Sequence, residues 1–156
     1  MNGARAELRS ATSGDLGRLL GYVRELWLHE SIPFVEAEVE GSLRELLANP
    51  SLGRVFVVEV SGAAAGYAVL GFGFSLEYGG RDAFLDELYL EPSQRGSGLG
   101  NFVLDLVEEK NREAGIRALH LEVDRENAAG RALYAKRGFA SHDRILLTKW
   151  LDRKPG

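Results

Sequence analysis

Apolar positions recur along this chain at two periods, and the switches between them mark out its elements. Arg5 to Arg9 alternates, with Ala6, Leu8 and Ser10 on one face, and predicts a short strand. Leu16, Leu19, Leu20, Val23, Leu26 and Trp27 then fall at helical spacing. Ser13 is the expected N-cap of this helix, and Asp15 sits in its first turn, where negative charge suits the helix dipole. It should end near Glu30, before Pro33. A second helix is expected from Val35 to Leu47, with Val39, Leu43, Leu46 and Leu47 as its apolar face and Asn49-Pro50 closing it.

The middle of the chain switches to strand character. Arg54 to Val60 is β-branched and apolar, Ser61-Gly62 reads as a turn, and Ala64 to Leu76 reads as the returning strand of a hairpin. Gly79-Gly80 leads into a strand from Ala83 to Leu90, ended by Pro92. A glycine-rich loop follows, then a helix from Leu99 to about Ala114 with Leu99, Phe102, Val103, Leu106 and Val107 in one stripe and Gly115 just past its end. Ala118 to Val123 predicts a strand, Asn127 to Lys136 a helix stopped by Gly138, and Phe139 to His142 with Arg144 to Leu151 a closing antiparallel hairpin. The order is β-α-α-β-β-β-α-β-α-β-β. It describes a mixed α/β (α+β) domain with a largely antiparallel central sheet and one right-handed β-α-β crossover.

Composition narrows what such a domain does. At 156 residues, 45% hydrophobic and 27% charged, the chain (1–156) is expected to form one domain with a core that needs no staple. There is no cysteine, which removes thiol nucleophiles, thiolate metal sites and disulfides, and fits a reducing compartment such as the cytoplasm. Met1 to Leu8 carries no long apolar run, so no signal peptide is expected. No run approaches the ~18 apolar residues needed to cross a bilayer, so no membrane partner is expected. The net charge of −4 disfavours nucleic acid and suits a cationic small molecule. Three scattered histidines give a metal site little support, and none is expected.

The loop Arg95-Gly96-Ser97-Gly98-Leu99-Gly100 lies between a strand and a helix. The first turn of a helix has unpaired N–H groups and partial positive charge, and glycines let a bulky anion approach closely. Arg95 adds a permanent charge and a planar fork of donors, which together point to a pyrophosphate. The dinucleotide fingerprint fails on spacing, because its third glycine position holds Asn101. A Walker A loop fails because no Lys-Ser or Lys-Thr follows the glycines.

Two motifs carry a resemblance. Arg95-x-x-Gly98-x-Gly100, with Phe84 to Pro92 before it, resembles the acetyl-CoA loop of the GNAT superfamily of N-acetyltransferases. Asn127-x-x-Gly130-x-x-Leu133-Tyr134-x-Lys136-x-Gly138-Phe139 is similar to its second signature, and the element order is that of the GNAT fold. The resemblance implies acetyl-CoA as co-substrate, with no metal. It implies that the strand Asp86 to Leu90 splays from its neighbour around a bulge, freeing the backbone of Leu88, Tyr89 and Leu90 for the pantetheine and thioester. An N–H near Leu90 would polarise the acetyl carbonyl. Arg95, Gly96, Ser97, Gly98, Leu99, Gly100 and Asn101 would hold the pyrophosphate, and Asn127, Ala129 and Gly130 the pantetheine.

The chemistry then asks for an acid and a base. A departing thiolate titrates near ~8.5 as its thiol, so a phenol near ~10 can donate to it, and Tyr134 is the candidate. The attacking amine must lose a proton, and a carboxylate is the natural sink. Asp86 and Glu87 are both candidates; they point to opposite faces of one strand, so one of them enters the site. The segment Glu25 to Glu30 is similar to the diamine and polyamine branch of the family, which makes His29 and Glu30 candidate substrate contacts. That branch favours the position of Asp86, while the Glu87–Tyr89 face is the other choice. Trp27 falls on the apolar stripe and reads as core.

With no cysteine, transfer is expected to be direct, from acetyl-CoA to the primary amine of a small molecule in a ternary complex. The acceptor would be polyamine-, amino-acid- or aminoglycoside-like. The alternatives are a non-catalytic acyl-CoA-binding module and a protein or peptide N-acetyltransferase. Phe139 to Leu151 offers a surface for a homodimer.

Overall fold

Five strands form one sheet in the order β1 (Ala6–Ser10), β2 (Gly53–Val60), β3 (Ala63–Ser75), β4 (Gly80–Leu90) and β5 (Ala118–His120). This is a computed structural model, which describes residues 5–153. Of the stretch Met1 to Leu8, read above for a signal peptide, residues 1–4 lie outside the described residues. The helices are α1 (Leu16–His29), α2 (Glu36–Ala48), α3 (Leu99–Glu113) and α4 (Ala128–Lys136). The chain divides into two compact units, one ending at Leu121 and one beginning at Glu122.

In the first unit, β1 to β4 pair antiparallel in sequence order, and β5 returns parallel to β4 after α3. The amphipathic stripes found in the sequence face the sheet. Leu19 and Val23 of α1 and Val39 and Leu43 of α2 are buried in one cluster with Val55, Val57, Tyr67, Val69 and Tyr89. By strand alternation Phe56, Val58, Ala68 and Leu70 turn to the other face, where they too are buried. Val103, Leu104 and Val107 form the buried stripe of α3, which lies against β1. Each such side chain contributes about 1.5–3 kcal/mol on full burial, so both faces of the sheet are anchored by several contacts of that size.

The entry to α1 differs from the expectation. Thr12, rather than Ser13, is the capping position, and Ser13–Asp15 forms a 3₁₀ turn before the helix. Asp15 accepts from the Thr12 N–H at 2.8 Å and from both Nη groups of Arg9 at 2.8 and 2.9 Å. Arg9 also donates to Glu59 on β2. The Arg9 bonds hold the Asp15 carboxyl well below the usual carboxylate range, while burial opposes them. An ion pair across strand and turn, beyond the dipole, therefore fixes how the chain enters α1.

The strand expected over Ala118 to Val123 ends at His120. Within the second unit, α4 is formed as the spacing predicts. The closing hairpin is not: 139–142 and 144–151 carry no strand. Strands need a partner edge and a face to bury. Ile145, Leu146 and Leu147 are 76, 71 and 86% exposed, so successive residues lie open on both sides and no buried face sets a register.

Candidate active site

The glycine loop is built as a turn feeding a helix. Pro92–Gln94 makes one 3₁₀ turn, Gly96 and Gly98 take φ of 78° and 82°, and Gly98 is the N-cap of α3. Side chains rarely adopt that backbone region, which accounts for glycine at these two positions. No side chain caps α3, so its first N–H groups are turned toward the loop. Gly100 has ordinary backbone, and a Cβ there would meet nothing nearer than Leu90 Cδ1 at 4.0 Å. Room, donors and a helix N-terminus coincide, so the residues present fit a pyrophosphate. Leu99 and Gly100 are half-buried, Gly96, Ser97 and Asn101 exposed, and the Ser97 hydroxyl donates to Gln94 O at 3.1 Å.

Arg95 reaches back along the strand. Its Nε donates to Leu90 O at 2.9 Å and its guanidinium lies 5.4 Å from the centre of the Tyr89 ring. One donor of the fork is thus committed to β4, and the others remain for an anion.

The bulge falls at Asp86. Val69 pairs with Glu87 and Leu70 with Leu85, which leaves Asp86 as the extra residue on β4. β5 pairs with β4 only from Asp82 to Phe84, so from Leu85 onward that edge of β4 has no strand beside it among the described residues. The Glu91 N–H bonds Ala65 O at 2.8 Å, toward β3. Backbone groups alternate sides, so the N–H groups of Leu88 and Leu90 point to the open edge, while Glu87 and Tyr89 pair with β3.

The two carboxylates are placed very differently. Asp86 is exposed at the bulge and makes no hydrogen bond among the described residues; desolvation raises its carboxyl. Glu87 is half-buried on the face covered by α1. One of its oxygens accepts from Trp27 Nε1 and the other from the Tyr67 hydroxyl at 3.3 Å. Burial raises the Glu87 carboxyl above the ordinary range, and the charges of Asp86 and Glu30 add to that. The bonds from Trp27 and Tyr67 work against it. Trp27, read from the sequence as a stripe residue, is therefore polar in function as well as apolar in packing, with its ring edge-on to Phe34. Nothing in the local pattern reports this, because Trp27 and Glu87 are 60 residues apart.

Around them stands a cluster of tyrosines. The Tyr22 ring stacks on Tyr67 at 6.0 Å and tilts against Tyr89 at 5.3 Å, and the Tyr22 hydroxyl donates to Glu91 at 2.7 Å. His29 closes α1 and Glu30 caps it; both are exposed.

In the second unit, Asn127 is the N-cap of α4, and its Oδ1 accepts from the Gly130 N–H at 2.9 Å. A Cβ on Gly130 would stand 2.6 Å from Asn127 Nδ2, so a larger residue there would make the capping amide shift from its present position. Ala129 follows on the helix and is exposed. Tyr134 is half-buried, edge-on to Phe139 at 5.8 Å, and burial raises its phenol. No group of three or more His, Asp or Glu side chains is disposed to hold a metal ion among the described residues. None of their helices is long and apolar enough to cross a membrane.

Residues 19–139 match the acetyltransferase (GNAT) family. The chain is 30% identical to a thialysine N-epsilon-acetyltransferase of Bos taurus, over 84% of this chain and 82% of that one. It is also 30% identical to a spermidine N(1)-acetyltransferase of Thermoplasma acidophilum, over 88% of this chain and 89% of the other. An aminoglycoside N-acetyltransferase solved in complex with CoA shares the fold at a TM-score of 0.78 and 18% identity, covering 96% of this chain and 97% of that one. The glycine loop, the open strand edge and these likenesses agree, and the chain belongs to the GNAT family as an acetyl-CoA-dependent N-acetyltransferase.

Proposed function

We propose that the chain acetylates a primary amine of a small cationic molecule, directly from acetyl-CoA in a ternary complex, with Glu87 accepting the proton of the amine. The observation that carries this reading is the state of Glu87. It is partly desolvated, fixed by two neutral donors, and next to a strand edge that no strand pairs among the described residues. A raised carboxyl is a stronger base than an ordinary one and closer in affinity to the proton it must take. Asp86 is also raised by desolvation, but no donor among the described residues orients it at the bulge. The relatives that act on thialysine and spermidine support a flexible amine as acceptor, and the net charge of −4 favours a cation.

The remaining roles follow the same reading. When bound, acetyl-CoA supplies the acetyl group as a thioester. Arg95 to Asn101 hold its pyrophosphate, the N–H groups of Leu88 and Leu90 receive the pantetheine and the acetyl oxygen, and Asn127, Ala129 and Gly130 contact the pantetheine. Tyr134 donates a proton to the departing sulfur; its raised phenol stays protonated through neutral pH. Exposed His29 and Glu30 meet the acceptor at the end of α1. With no cysteine in the chain, no acetyl-thioenzyme intervenes.

The test is thiol release from acetyl-CoA with spermidine, thialysine, an aminoglycoside and an amino-terminal peptide as acceptors. Release with a small amine is expected, and Glu87→Gln should lower it by about a hundredfold. Release with the peptide alone would overturn the reading.

A further inference from the structure

No lysine or arginine pairs with the Glu87 carboxyl among the described residues. Three elements converge on it: Trp27 from the last turn of α1, Tyr67 from the middle of β3, and the carboxylate itself from β4. Tyr67 is fully buried, and its hydroxyl goes to Glu87. A half-buried carboxylate held only by neutral donors is an unfavourable arrangement for packing alone. A glutamine or a backbone carbonyl would satisfy the indole and the phenol without the charge.

We propose that Trp27 and Tyr67 are positioning residues that clamp Glu87, one donor on each oxygen, and so set both its orientation and the pH at which it serves the reaction. This rests on the reading of Glu87 as the proton acceptor. An ionised carboxylate offers about four lone-pair directions, and the clamp uses one on each oxygen. The free directions are left for an amine at the open side of β4. Because both donors are neutral, the charge is oriented without being cancelled, and it stays available to a cationic acceptor. The tyrosine stack on Tyr22 fixes the Tyr67 ring, and the edge contact with Phe34 fixes Trp27.

The direction of the pH effect follows from the groups that face Glu87. Asp86 from β4 and Glu30 beyond α1 repel its charge, while Trp27 from α1 and Tyr67 from β3 bond to the charged form. Removing either donor therefore raises the Glu87 carboxyl further. Since the base must be ionised, the acid limb of the kcat/KM profile moves to higher pH.

The experiment compares pH profiles of wild type, Trp27→Phe, Tyr67→Phe and Glu87→Gln with spermidine or thialysine. It adds an NMR titration of the Trp27 indole N–H, with the Trp150 indole as internal reference. Trp27→Phe and Tyr67→Phe should each move the acid limb upward by about one pH unit and also lower the rate above the limb, by less than Glu87→Gln does. In the NMR titration, the Trp27 indole resonance should follow the ionisation of Glu87 in wild type, shift its midpoint upward in Tyr67→Phe, and stop titrating in Glu87→Gln. A purely structural role would lower the melting temperature and leave the limb in place, and that result would overturn the proposal. So would a wild-type Trp27 resonance that ignores pH. If Glu87→Gln keeps its turnover and limb while Trp27 still titrates with Glu87 in wild type, the clamp exists but Glu87 is not the base. In that case the underlying reading fails, while the pairing stands.

Discussion

The side-chain oxygen of Asn127 accepts the N–H of Gly130, three residues on, at the start of α4. Two opposing effects meet at Gly130. Alanine there gains helix propensity of about 1 kcal/mol but drives Asn127 out of its cap, which costs about the same. Gly130→Ala should therefore leave the melting temperature nearly unchanged while it turns Asn127 away. If Asn127 serves acetyl-CoA, KM for acetyl-CoA rises several-fold in this variant. An unchanged KM would leave Asn127 as a cap alone.

The two loop glycines differ as tests of donor binding. Gly98 sits at φ 82°, so a valine there is strained whatever the space, and lost binding would report the backbone as much as the ligand. Gly100 has ordinary backbone and open space. Gly100→Val should fold normally by circular dichroism and weaken CoA at least about tenfold by calorimetry, by filling the approach to the helix N-terminus. Full affinity in that variant would remove the loop from the binding site.

Tyr134→Phe removes the hydroxyl and leaves the ring against Phe139. In the proposed role this lowers kcat by about a hundredfold with little change in KM for acetyl-CoA. Burial raises the phenol, so the acid stays protonated and wild-type kcat should not decline between about pH 8 and 9.5 on its account. A kcat unchanged by the substitution would assign the proton to water.

The pair of Arg9 and Asp15 predicts how the fold responds to acid. The Asp15 carboxyl is depressed by Arg9, so its contribution is complete above the unfolded value near ~3.9 and is lost as pH falls from there through its folded value. Asp15→Asn should lower stability at pH 7 by about 1–3 kcal/mol in urea unfolding and flatten the stability curve below about pH 4. An unchanged slope at low pH would show that other carboxylates carry the acid response.

The elements with strong local signals were legible in the sequence. The stripe from Leu16 to Trp27 and the stop at Gly115 mark α1 and α3, and the spacing of Gly96, Gly98 and Gly100 marks the loop between strand and helix. What escaped depends on distant partners. Neither Gly nor Pro marks the bulge at Asp86, which exists because β3 and β4 pair out of step. Trp27 obeys the helical stripe, so its indole bond to Glu87 is invisible until α1 is laid across β4. The same limit explains the choice left open between Asp86 and Glu87, since alternation gives two faces without saying which is covered. The C-terminal segment erred the other way: Ile145, Leu146, Leu147, Trp150 and Leu151 are apolar enough to suggest a strand, but 144–151 carries none.

The half-open edge of β4 also sets a pattern in time. Amides of Glu87, Tyr89 and Glu91 are tied to β3, whereas those of Leu88 and Leu90 face outward. In deuterated solvent, neighbouring residues of one strand should therefore exchange at alternating slow and fast rates. Addition of CoA should slow Leu88 and Leu90 while their neighbours stay as they were, so exchange along five consecutive residues reads out donor binding amide by amide.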